Sequence, residues 1–216
     1  MSFVIQTLSE RVFDIVREQI VVGGLASDIP IRQGALAKEL GVSRIPVREA
    51  LARLEQQGLL ISHSNRGYLV RSMSMDEADE IFALRLALEP AAAALAAVHA
   101  DDAAREEAQL LFERLDAAAS HNLADVAVRN REFHTALVRV GERSLTTDLV
   151  ERLSILSERY VVAQLEPWGR GSRACIEHLH LLNAWMARDG DTVERLLAGH
   201  IEATLVDLKM QFEVAV

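Results

Sequence analysis

Two short amphipathic segments joined by a tight turn constrain the fold of this chain more than any other feature. Gln33–Leu40 carries apolar residues on one face and stops at Gly41, where a helix end favours a left-handed backbone. A second helix is predicted at once, because Ser43 is a good N-cap and Pro46 falls in the first turn, where a missing N–H costs little. The pattern predicts either a helix-turn-helix unit or a plain helical hairpin.

The flanking segments favour the helix-turn-helix unit. An amphipathic helix is predicted over Thr7–Val22, whose apolar residues recur at spacings of three and four. Strand-like runs at Leu59–Ser62 and Tyr68–Arg71 enclose the polar stretch 63–67, as in a hairpin whose tip protrudes. A helix-turn-helix unit followed by such a hairpin is a winged module.

The polar face of the second helix carries arginines. Arg44 and Arg48 are four residues apart and share a face roughly opposite the apolar stripe, where they can enter a DNA major groove or remain solvated surface charges. Residues 1–72 hold nine lysines and arginines against seven acidic residues, a balance of +2, whereas the remainder holds 14 against 25, a balance of −11. This asymmetry indicates either a module that approaches a polyanion or ordinary surface variation.

Beyond Met73-Ser74 the sequence predicts helices almost to its end. Breaks near residues 101–102, 121–122, 141, 167–171 and 190 divide this part into six helices, and Pro90 should kink the first of them. We therefore predict a mainly α fold. A winged helix-turn-helix domain over residues 1–72 is joined to an all-helical domain over residues 73–216.

Composition excludes several classes of protein. Half of the 216 residues are hydrophobic and only 15 are glycine or proline, which excludes a disordered or collagen-like chain. Cys175 is the single cysteine and no secretory signal is recognisable, so we expect a cytoplasmic protein. The longest uninterrupted apolar run, Ala91–Val98, is far below the roughly 18 residues that span a bilayer, so we expect no membrane segment.

One set of motif residues comprises the run from Leu36 to Leu51, Leu54, Gly58, Leu59 and the hairpin glycine Gly67. This set closely resembles the DNA-binding module of GntR-family transcription regulators. The stretch from Glu80 to Ala97 is similar to the opening of the helical, FCD-type C-terminal domain in the FadR-like branch of that family. The resemblance implies a homodimeric regulator that is not an enzyme, and we expect a repressor whose affinity for operator DNA is controlled by a small carboxylate-bearing metabolite. The resemblance also implies that the helical domain over residues 73–216 is the effector-binding and dimerisation domain.

The chain departs from the family pattern at three places in this module. Many relatives have threonine where this chain has Ile45, arginine where it has Gly34, and a Pro-Gly turn where it has residues 28–31. These departures concern which operator sequence is bound rather than DNA binding itself.

The resemblance implies a set of DNA contacts. Arg44 and Arg48 can form bidentate hydrogen bonds to guanine or clamp phosphates, while Ser43 suits a phosphate oxygen. Ile45 has no donor and can contact a thymine methyl group. The hairpin tip can enter the minor groove, and Arg32 can contact a phosphate. The predicted DNA-binding residues are Arg32, Ser43, Arg44, Ile45, Arg48, Asn65, Arg66 and Gly67.

Three histidines, His134, His178 and His200, match positions where many FCD domains carry ligands for a divalent metal. We expect zinc, nickel or manganese, and imidazole nitrogens suit the first two especially. The family's fourth ligand, an aspartate one turn before the first histidine, is replaced by Asn130, whose neutral amide oxygen is a poorer ligand. The alternative for each histidine is a packed or surface residue.

Arg85 is predicted either to pair with an effector carboxylate or to form an internal or surface salt bridge. Two other functions stay open at this point. In a metal sensor the ion itself is the effector, and in a metal-dependent hydrolase three histidines activate water. The chain has no His-Glu-x-x-His motif, which counts against the hydrolase.

Overall fold

A computed structural model describes residues 6–27, 29–118, 123–140, 143–165 and 170–214. The chain is divided into two compact units, Met1–Ser72 and Met73–Val216. The first contains α1 (Leu8–Val21), β1 (Pro30–Ile31), α2 (Gln33–Glu39), α3 (Arg44–Gln56), β2 (Leu60–His63) and β3 (Gly67–Val70). The second contains α4 (Met75–His99), α5 (Asp102–Ala118), α6 (Leu123–Val138), α7 (Ser144–Leu165), α8 (Arg170–Met186) and α9 (Gly190–Val214).

The helix ends of the first unit follow local sequence signals. Thr7 caps α1 in a capping box with Glu10, in which each residue's side chain accepts a hydrogen bond from the other's backbone N–H. After α2 the chain turns at Gly41, whose φ of 65° confirms the left-handed backbone that the sequence predicts there. Helix α3 then begins after its N-cap Ser43 and packs against α1.

A three-stranded antiparallel sheet completes the first unit, with strand order β1-β3-β2. The β2–β3 hairpin, hereafter the wing, closes between His63 and Gly67, one residue away from the predicted strand bounds. Strand β1 was not predicted. It has only two residues, Pro30 and Ile31, which pair with β3. Two residues are too few to show the alternating apolar pattern that indicates a strand.

Helix α4 lies at the centre of the second unit, where it packs against α6, α7, α8 and α9. By length and composition alone α4 is apolar enough to cross a membrane, although its longest uninterrupted apolar run, Ala91–Val98, is short. Half of its most apolar stretch is buried within the second unit, and a core helix can be equally long and apolar. Its buried face also carries a charged pair, Arg85 and Glu89.

The second unit contains the six predicted helices among its described residues. The predicted breaks near 101 and 190 are confirmed by the ends of α4 and the start of α9. The predicted breaks at 121–122 and 141, and part of that at 167–171, lie outside the described residues. Helix α4 continues from Met75 to His99 through the buried Pro90.

Candidate DNA-binding face and candidate metal centre

The N-terminal half of α3 separates a buried face from an exposed one. Its apolar residues, Pro46, Val47, Ala50, Leu51 and Leu54, are buried in the first unit. Arg44 and Arg48 are exposed, and Ile45 beside them is 59% exposed. A large apolar side chain left in water between two arginines suits contact with a thymine methyl group in a groove of DNA. We call this set the α3 face.

Gly34 of α2 leaves room for Arg44. A Cβ atom built on Gly34 would lie 3.1 Å from Nη2 of Arg44, so a larger side chain would require the flexible end of Arg44 to shift. The departure from arginine at this position therefore affects where Arg44 points, which the sequence alone did not indicate.

The remaining predicted DNA-binding residues are also exposed. Arg32 is the N-cap of α2, and Ser43 is the N-cap of α3; among the described residues neither side chain makes a capping hydrogen bond. Asn65, Arg66 and Gly67 form the tip of the wing. The structure thus leaves all eight predicted residues accessible to a partner.

The three predicted histidines converge inside the second unit. His134 lies on α6, His178 on α8 and His200 on α9. The Nε2 atom of His178 is 3.3 Å from Nε2 of His134 and 3.2 Å from Nε2 of His200. His134 and His178 are buried, and His200 is half-buried. We call these residues the histidine cluster.

The environment keeps two of these imidazoles uncharged near neutral pH. Burial lowers the pKa of His134 to about 4 and lowers the pKa of His178 well below its usual value. A neutral imidazole has one nitrogen with a free lone pair, which is the form that binds a metal ion.

The spacing of the nitrogen atoms fits a divalent metal. Two nitrogens that bind one ion tetrahedrally at about 2.0–2.1 Å are about 3.3–3.4 Å apart. The observed separations of 3.3 and 3.2 Å are close to that value. The residues present therefore fit such an ion by both spacing and donor chemistry. Asn130 lies one turn before His134 on α6 and is half-buried.

Arg85 forms the internal salt bridge that was one of its two predicted roles. Its Nε and Nη2 atoms donate to the two carboxylate oxygens of Glu89 at 2.6 and 3.1 Å, and Nη1 donates to Ser157 Oγ at 3.3 Å. Burial raises the pKa of Glu89, but the charge of Arg85 and hydrogen bonds outweigh it and lower that pKa to about 2. A direct contact between Arg85 and an effector would require this pair to open.

Two carboxylates beside the histidine cluster were not predicted as site residues. Oε2 of Glu177 is 2.7 Å from Nδ1 of His200, and Oε2 of Glu89 is 3.7 Å from Nδ1 of His134. The second separation is too long for a hydrogen bond and is an electrostatic contact. Each glutamate follows an arginine by four residues, a spacing that is visible in the sequence and typical of a helical ion pair.

Other polar residues lie apart from the cluster. His180 is exposed on α8, as its offset of two residues from His178 predicts, and His63 and His99 are exposed elsewhere. Cys175 is partly buried, and burial raises the pKa of its thiol, which disfavours the thiolate form that binds metals.

Both units match known protein families. The profile of the bacterial regulatory proteins of the gntR family matches residues 8–70, and the profile of the FCD domain matches residues 80–203. The HTH-type transcriptional repressor RspR of Escherichia coli is 27% identical over 198 residues, 91% of this chain and 87% of that protein. The HTH-type transcriptional regulator BphR of Paraburkholderia xenovorans is 30% identical over 212 residues, 93% of this chain and 85% of that protein.

The fold has solved counterparts of the same kind. The structure of McbR/YncC of E. coli superposes with a TM-score of 0.79 at 25% sequence identity, covering 95% of this chain and 99% of that one. A winged helix-turn-helix unit joined to an FCD domain defines a transcription regulator. The chain belongs to the GntR family and carries the FCD type of effector domain.

Proposed function

We propose that this protein is a homodimeric, cytoplasmic repressor whose affinity for a two-fold operator is controlled by a carboxylate-bearing metabolite. In this proposal the metabolite binds beside a divalent metal held by His134, His178, His200 and Asn130. The observation that carries it is the convergence of three Nε2 atoms inside the effector domain of a DNA-binding regulator.

The charge of the site supports an anionic effector. His134 and His178 are neutral near pH 7, and the Asn130 amide is neutral, whereas the family's aspartate would carry a negative charge. The buried charge of Glu89 is already balanced by Arg85. A bound divalent ion would supply a Lewis-acidic centre whose charge these ligands leave uncompensated, which favours an effector carboxylate.

Regulation requires that the effector bind one arrangement of the two DNA-binding domains more tightly than another, because only a difference in affinity shifts an equilibrium. In a two-fold dimer such a shift changes how two α3 faces meet successive half-sites of the operator. The histidine cluster joins α6, α8 and α9, so a ligand there can alter how these helices pack.

The DNA-binding part is tested by selecting duplexes from a random pool with the full chain. The expected result is enrichment of a two-fold pseudo-palindrome by the wild-type protein but not by Arg48→Ala. An unenriched wild-type pool would overturn the proposal. Binding of one zinc ion per chain, measured by titration calorimetry, tests the metal site separately.

Zinc and the selected duplex also separate the alternatives. If zinc alone changes the affinity for the duplex as much as any added carboxylate does, the protein is a metal sensor. If the zinc-loaded protein hydrolyses model esters or amides and His178→Gln abolishes that turnover, it is a hydrolase. The proposed regulator requires neither result.

A further inference from the structure

We propose that Glu177, which contacts Nδ1 of His200, and Glu89, which faces Nδ1 of His134, are positioning residues that favour the tautomer whose Nε2 is free to bind a ligand. The relation of these glutamates to a metal rests on the proposed function, whereas their effect on the imidazoles does not. Neither glutamate belongs to the set of ligands expected from the family.

The first arrangement runs from α8 to α9. Nε of Arg173 lies 3.2 Å from Oε1 of Glu177, and the other oxygen of Glu177 is 2.7 Å from Nδ1 of His200. Arg173 also pairs with Asp207 of α9. The carboxylate of Glu177 is thus held from one side by an arginine and presents its second oxygen to the histidine.

The second arrangement repeats the first between α4 and α6. Arg85 holds both oxygens of Glu89, and Oε2 of Glu89 lies 3.7 Å from Nδ1 of His134. Among the described residues, Nδ1 of His134 is buried without a hydrogen-bond partner. Glu89 is therefore the acceptor towards which this N–H can turn, and a small movement would complete the bond.

The chemical consequence follows from the single proton of a neutral imidazole. A carboxylate at Nδ1 accepts a hydrogen bond only from the tautomer protonated there, so it stabilises that tautomer and leaves a lone pair on Nε2. It also fixes the orientation of the ring and increases the basicity of the ligating nitrogen. The Nε2 atoms of the three histidines lie close together, so the tautomer that the two carboxylates favour is the one that a metal ligand needs.

An arginine beside each glutamate orients the carboxylate towards its histidine. Each arginine stands one helical turn before its glutamate and forms an ion pair that directs the carboxylate. The two pairs differ in burial, since the side chain of Glu89 is 1% exposed and that of Glu177 is 29% exposed. Glu177 is therefore the better residue to change, because its loss leaves no charge stranded in the core.

The first measurement uses the full-length, metal-free protein labelled with 15N in its histidines. Long-range proton–nitrogen spectra assign the tautomer of His200, and the expected wild-type form is protonated at Nδ1. Glu177→Ala should shift His200 towards the Nε2-protonated form. The matched control is Glu194→Ala, which removes an exposed glutamate of α9.

The second measurement is zinc affinity by competition with a chelator. Loss of an outer carboxylate partner typically weakens metal binding about 10- to 100-fold, and we expect this for Glu177→Ala but not for Glu194→Ala. Glu177→Gln provides a variant of the same shape if the alanine variant does not fold.

The outcomes distinguish the positioning role of Glu177 from the metal site of the proposed function. An unchanged His200 tautomer together with unchanged zinc affinity in the Glu177 variants would overturn the positioning role. A wild-type protein that binds no zinc would overturn the metal site of the proposed function. In that case the tautomer of His200 alone decides whether Glu177 positions the imidazole.

Discussion

The Nε2 atoms of His134 and His178 lie 3.3 Å apart, although 44 positions separate these residues in the chain. His178 occupies the middle of the histidine cluster, because its Nε2 is also 3.2 Å from that of His200. Any ion bound by the cluster would use this central nitrogen, which makes His178 the residue to remove first.

His178→Gln should weaken zinc binding by more than the about 10- to 100-fold that loss of an outer partner causes, since a direct ligand is lost. Chelator competition measures the change. His180→Gln is the matched control, because His180 is exposed on the same helix. Equal affinities for both variants would show that His178 binds no metal.

Asn130→Asp should strengthen zinc binding by about tenfold or more, because it adds a negative oxygen one turn before His134. Asn183→Asp, at an exposed position of α8, adds the same charge away from the cluster and should have little effect. If both substitutions strengthened zinc binding equally, the added negative charge would be responsible and not ligation by residue 130.

Glu89→Ala should lower the free energy of unfolding of the metal-free protein by about 3–5 kcal/mol, because it strands the buried charge of Arg85. The double variant Arg85→Met with Glu89→Met removes both charges and should lose less stability. Urea denaturation provides the comparison. A double variant less stable than Glu89→Ala would contradict this account of the pair.

The hydroxyl group of Tyr160 on α7 should resist ionisation. It accepts a hydrogen bond from the Ser74 N–H at 3.2 Å and donates to Glu77 Oε2 at 2.8 Å, and burial raises its pKa to about 12. Because the folded-state pKa is raised above the unfolded value near 10, the unfolded chain releases this proton first as the pH rises. Tyr160 therefore costs stability progressively between about pH 10 and 12, on the order of 2–3 kcal/mol.

Absorbance of tyrosinate during alkaline titration measures this directly, since the chain has only two tyrosines. Tyr160→Phe should remove the late transition. Ionisation of both tyrosines near pH 10 in the folded protein would refute the prediction.

Arg48→Ala should weaken the complex with a selected operator by about 1–3 kcal/mol if the arginine reads a guanine, and it should relax the preference at one base pair. Arg195→Ala, at an exposed position of α9 in the effector domain, controls for the loss of one positive charge. Fluorescence anisotropy at fixed salt measures both variants. Equal affinity for wild type and Arg48→Ala would exclude base contact.

Local sequence signals predicted the helices of the DNA-binding unit well. Gly41 and Ser43 lie within one or two residues of the helix ends that they mark, so these ends can be deduced without knowing the fold. The helical spacing likewise assigned Arg44 and Arg48 to an exposed face, because helical geometry determines which residues share a side.

Only the tertiary structure decided which groups surround the histidines. The resemblance to a family selected His134, His178 and His200, but their contacts with Glu89 and Glu177 depend on how α4, α6, α8 and α9 pack. The sequence likewise did not decide which partner Arg85 has. The spacing to Glu89 allowed an ion pair, yet burial of both side chains, which makes that pair strong, comes from helices distant in sequence. Local sequence rules relate residues within about one helical turn. The candidate site brings together residues of several helices, so these rules could not predict its contacts.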